Sequence, residues 1–179
     1  MTNTPAKIEE EINKRFTKTE SHYAPIDPGR QEYRKCGVKE EVLKLAIEEV
    51  LFDVCPAIQN MKEVAEYAAM MGYLHFPTYY TIRKAGWVLI PHAPTENSAK
   101  YVYKMYSPDK NFNRNRSEMK SYLKIVTPTD RFTSALFEDL ATDAVVFAIS
   151  DNDTFVLIDA KGFVDASSLL SEYTPSKRE

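Results

Sequence analysis

The chain has 179 residues, with 23 Lys and Arg against 26 Asp and Glu, and 44% of its residues are hydrophobic and 12% aromatic. That length and apolar content suit one globular domain with its own core and exclude a wholly disordered chain. No apolar run approaches the roughly 18 residues that cross a bilayer, Met1 to Lys18 lacks a signal-like apolar stretch, and two cysteines make no disulfide framework. A cytoplasmic protein with reduced thiols and no membrane partner is expected.

Ile8, Ile12 and Phe16 recur every four residues among charged neighbours, which predicts an amphipathic helix over about Pro5 to Lys18. Glu20 to Cys36 holds Pro25, Pro28 and Gly29 without periodicity and reads as a loop. Val42, Leu45, Ala46 and Val50 keep helical spacing, so a helix is expected over Val38 to Asp53, stopped by Pro56. Asn60 caps the next helix, Met61 to Met71, with Glu63 as its capping-box partner and Gly72 as its end.

Beyond Gly72 the period shortens. Trp87 to Ile90, Tyr101 to Tyr106 and Tyr122 to Thr127 read as strands, and Ser107 to Arg116 as an exposed basic loop. Thr133 to Leu140 is expected to be helical. Ala144 to Ile149 and Thr154 to Ala160 flank Ser150-Asp151-Asn152-Asp153, the composition of a four-residue hairpin loop. Ser167 to Tyr173 is a candidate terminal helix. The expected class is α+β: a helical N-terminal half, then a small, mostly antiparallel sheet with a C-terminal β-hairpin and a short terminal helix. One compact domain over 1–179 is expected, with a possible subdivision into a helical part, 1–72, and an α+β part, 73–179.

The small net charge conceals an uneven distribution. Residues 1–78 carry 10 basic and 13 acidic side chains, residues 79–132 carry 10 and 4, and residues 133–179 carry 3 and 9. The basic middle either meets an acidic ligand or is neutralised by the acidic C-terminal quarter. Within it, Tyr79, Arg83, Lys84, Tyr101, Tyr103, Lys104, Lys110, Arg114 and Arg116 interleave rings with cations. Rings that stack unpaired bases while cations hold phosphates bind nucleic acid. Tyr and Arg are equally at home in protein recognition. Nucleic acid, DNA included, and an acidic protein partner therefore stand side by side as expected ligands, and a non-catalytic assembly or inhibitor module is a further reading.

Two resemblances to known families arise from particular residues. The segment from Met61 through Gly72 to Trp87 resembles the helix-turn-helix family in outline. That resemblance would make Thr78, Tyr79, Thr81, Arg83 and Lys84 contacts to DNA, with Trp87 to Ile90 opening a wing. The alternative packs Val64, Ala65, Ala68 and Met71 into a core and leaves Tyr73 to Tyr80 as a packed loop. Separately, Asp143, an apolar hairpin and Asp159-Ala160-Lys161 resemble the core of the PD-(D/E)XK nuclease family. By that resemblance Asp143 and Asp159 would bind Mg2+ and Lys161 would assist the attacking water; without it no cofactor is expected. Cys36, Cys55, His75 and His92 lack the paired short spacings of a zinc site, and five isolated glycines supply no phosphate-cradling loop.

Overall fold

The computed structural model describes residues 4–20, 22–39, 41–92, 102–127, 130, 145–151 and 154–160. Helix α1, Thr4–Arg15, presents Ile8 and Ile12 to the core, and the chain then turns back through β1, Phe16–Lys18, and β2, Tyr23–Pro25, an antiparallel pair. A 3-10 helix at Gln31–Lys35 leads into β3, Val38–Lys39, and β4, Leu43–Lys44. The helix expected from Val38 begins nine residues later, as α2, Ile47–Ile58. Its expected first turns are diverted because their backbone groups pair elsewhere. Val38 and Lys39 face Lys44 and Leu43, and Leu45 exchanges two hydrogen bonds with Tyr23 at 2.8 and 3.0 Å. Gly37, at φ +67°, makes the turn into this small hairpin, and a Cβ there would run into the Lys44 carbonyl.

Pro56 does not stop α2 but lies within it. A proline removes only its own N–H donor and crowds the carbonyl four residues back, and Pro56 is exposed near the C-terminal end, where a bend is tolerated. The helix instead ends at Gln59, whose left-handed backbone (φ 60°) donates to the Cys55 carbonyl. Asn60 then caps α3, Met61–Met70, by accepting the Glu63 N–H at 3.3 Å, as its sequence predicts. The stretch weighed as either a recognition helix or a packed loop is a helix, α4, Phe76–Lys84, with Pro77 in its first turn.

Five strands follow: β5, Val88–Pro91; β6, Val102–Tyr106; β7, Met119–Val126; β8, Val145–Asp151; and β9, Thr154–Ala160. They form one sheet in the order β5-β6-β7-β8-β9, antiparallel at every step except β7 to β8, which is parallel. The β8–β9 hairpin is paired through Asp151 and Thr154, so strand extends into what the composition marks as loop. Alternation gives the sheet two faces. Leu89, Tyr103, Met105, Leu123, Ile125 and Ala148 share a core with apolar residues of all four helices. The reverse face gathers Val102, Val126, Val145 and Phe147 in one cluster and Val88, Ile90 and Phe112 in another. Among the described residues, four α-helices with a five-stranded mixed sheet make the fold α+β. The expected helices over 133–140 and 167–173 lie outside the described residues, and no described helix is long and apolar enough to cross a membrane.

Candidate binding groove

Only part of the basic, aromatic middle segment forms a surface. Tyr79 and Tyr103 are 0% and 1% exposed, and their rings pack 5.3 Å apart between α4 and the sheet. Neither has a face left for a base, which corrects their assignment as stacking residues. Arg83 is also buried: it donates to the Trp87 carbonyl at 3.2 Å and to Cys36 Sγ at 3.3 Å, with its guanidinium 5.1 Å from the Phe52 ring centre. Thr78 is buried as well, so of the five residues placed on a recognition helix only Thr81 and Lys84 face outward. The helix-turn-helix outline thus turns its reading face into the core. The wide spacing of Phe76, Tyr79 and Ile82, one apolar residue per turn, is the sequence signal for that orientation.

Lys104 stands half-buried on the reverse face of the sheet, and Arg116 is exposed. Tyr101, Asp143 and Lys161 lie outside the described residues. Asp159 is exposed on β9 opposite Val146, on the same face as Leu157. No group of three His, Cys, Asp or Glu side chains suited to a metal occurs among the described residues.

Lys110 and Arg114 do come together with other cations. The loop 107–118 leans towards the 3-10 helix and the β3–β4 hairpin, leaving two adjoining recesses of about 880 and 540 Å3 that share Arg34, Asn111 and Phe112 as lining. Seven cationic side chains line them, Arg30, Arg34, Lys35, Lys39, Arg83, Lys110 and Arg114, against two carboxylates, Glu32 and Glu41. Three of the seven are committed. Arg30 lies 3.2 Å from Glu32 and 3.7 Å from Asp53, Arg83 is held as above, and Arg114 donates to the Cys36 carbonyl. Arg34, Lys35, Lys39 and Lys110 form no ion pair among the described residues. Sequence reasoning missed the first three, because averaging charge over 78 residues hides the basic run Arg34-Lys35 and Lys39 within an acidic segment.

Behind the groove lies a buried polar cluster that fixes its walls. Glu49 accepts the Gly37 N–H at 2.5 Å and the Ala46 N–H at 3.0 Å, stapling both ends of the β3–β4 hairpin to α2. Burial drives its carboxyl up to about 7, even against these two donors. Burial also pushes up the neighbouring Glu48, but His75, 3.8 Å away, and the Tyr103 hydroxyl, donating at 2.5 Å, outweigh it and hold the carboxyl below its ordinary range. Cys36 is 7% exposed, and burial followed by the Glu49 charge raises its thiol to about 12. A thiol held so firmly protonated is no nucleophile at neutral pH. His75, Glu48 and Tyr103 are all under 7% exposed and have no access to a substrate, so this constellation organises structure rather than chemistry.

No protein-family model matches the chain, and comparison with curated proteins finds no match.

Proposed function

We propose that the protein is a non-catalytic binding module that engages an acidic protein partner through the groove between the 3-10 helix, the β3–β4 hairpin and the 107–118 loop. The observation that carries this reading is the convergence of Arg34, Lys35, Lys39 and Lys110 on one groove with no ion pair among the described residues. Like charges brought together repel, and a ligand carrying carboxylates relieves that repulsion while gaining charge-assisted hydrogen bonds. A protein is favoured over nucleic acid because most of the rings at hand are spent on packing. Tyr79, Tyr103, Tyr33 and Phe112 are all at most 5% exposed, and of the rings lining the groove only Phe52 and Trp87, half-buried against the core, keep any surface on which a base could stack.

The test is affinity capture from nuclease-treated lysate with the wild type and an Arg34→Glu, Lys110→Glu double variant, both confirmed folded by circular dichroism. Acidic proteins retained by the wild type and lost by the variant are the expected result. Retention indifferent to the reversal, or binding that vanishes on nuclease treatment, would overturn the reading.

A further inference from the structure

Resting on that docking role, we infer that the groove's occupant is an extended acidic peptide segment anchored by an apolar side chain. Both recesses are cationic, with Arg34, Lys35, Arg83 and Lys110 lining the smaller and Arg30, Arg34, Lys39 and Arg114 the larger, and the larger adds an apolar wall: Val42, which is 56% exposed, next to half-buried Leu43. A uniformly charged polyanion would satisfy the cations and leave that wall wet. A purely apolar segment would strip water from lysines without offering them a counter-charge. An acidic chain with one or two apolar residues fits both.

Two asparagines support an extended backbone. Asn111 and Asn115 line the larger recess, and neither side-chain amide makes a hydrogen bond among the described residues. Each amide offers a donor and an acceptor together, the complement of a peptide unit's C=O and N–H. A phosphodiester backbone has no N–H and would leave both asparagine carbonyls unanswered. Backbone pairing for affinity and side-chain recesses for specificity is the division of labour of extended-peptide recognition.

Fluorescence anisotropy with three labelled probes tests the inference: a glutamate decapeptide carrying two leucines, decaglutamate, and a ten-nucleotide single-stranded thymidine oligomer. Burying one leucine against Val42 and Leu43 predicts that the leucine-bearing peptide binds about tenfold tighter than decaglutamate. Val42→Ser should remove most of that preference, and Arg34→Glu should weaken both peptides. Equal affinities for the two peptides, or a preference indifferent to Val42→Ser, would overturn the anchored-peptide inference and leave the docking role standing. Preference for the oligonucleotide, or no probe responding to Arg34→Glu, would overturn both.

Discussion

Glu49 links the protonation of one buried carboxyl to the groove's architecture, and its replacement by glutamine separates charge from shape. The side chain is 2% exposed, and its two oxygens take the Gly37 and Ala46 N–H groups. Burial raises the carboxyl from an ordinary 4.5 to about 7, so the folded protein holds this proton more tightly than the unfolded chain does. The resulting stabilisation is present in full below about pH 4.5 and is lost as pH rises through 7. Integrating between those two values, the loss from pH 5 to pH 8 is about 2–3 kcal/mol. Glutamine has no proton to lose. It keeps one acceptor for Gly37 or Ala46 but turns an N–H2 towards the other donor, a pH-independent penalty of about 1–3 kcal/mol. Urea unfolding of wild type and Glu49→Gln at pH 5, 6, 7 and 8 should therefore show the wild type's advantage shrinking by about 2–3 kcal/mol across the series. An advantage constant to within about 0.5 kcal/mol would refute the claim that burial, rather than the two N–H donors, governs this carboxyl.

Other perturbations bear on the same cluster. Tyr103→Phe removes the hydroxyl that donates to buried Glu48 and should destabilise the fold by about 1–3 kcal/mol, read as a lower urea midpoint; a shift under about 0.5 kcal/mol would mean the pair contributes nothing. Glu48, held low, stabilises the fold above its unfolded range and loses that contribution as pH falls, so the Tyr103→Phe deficit should narrow in acid. Cys36 and Cys55 are 7% and 3% exposed with raised thiol pKa values, so a thiol reagent at pH 8 should label neither until global unfolding; rapid labelling of the native protein would contradict their burial. Gly37→Ala and Gly72→Ala form a matched pair. Both sit at positive φ, worth about 1–2 kcal/mol, but only at Gly37 does a Cβ meet neighbouring atoms, adding about 1–3 kcal/mol. Equal thermal shifts for the two would show that the crowding is relieved.

How much the sequence discloses varies with how local the deciding physics is. Helix α3 is legible almost to the residue because Asn60, Glu63 and Gly72 act within a few positions of each other. The β8–β9 hairpin is legible for the same reason. Helix α2 is mistaken at its start because the same apolar spacing of Val42, Leu45 and Ala46 also serves a tiny hairpin. The choice falls to Tyr23, which pairs with Leu45 from far along the chain. The parallel step between β7 and β8 has no local signature. At the site, Lys110 and Arg114 announce themselves as part of a basic loop, but their companions Arg34, Lys35 and Lys39 become neighbours only through folding. The aromatic count misleads because residue type does not tell exposure: Tyr79 and Tyr103 spend their rings on the core.

The parallel junction also shapes how the chain reaches this state. β5, β6 and β7 pair between sequence neighbours, and so do β8 and β9, so each group assembles locally. The seam from Tyr122 opposite Val145 to Val126 opposite Ile149 joins residues 23 apart at every pair, whereas the antiparallel steps can start from pairs 3 to 13 apart, so it closes more slowly. Until it closes, β8 bares Val145 and Phe147, while β9 already carries Val156, Leu157 and Ile158 at 63%, 55% and 45% exposure in the folded protein. A strand pair apolar on both edges is the species that associates with its own kind. Refolding yield should therefore fall as protein concentration rises, with losses incurred at the seam rather than in the helices.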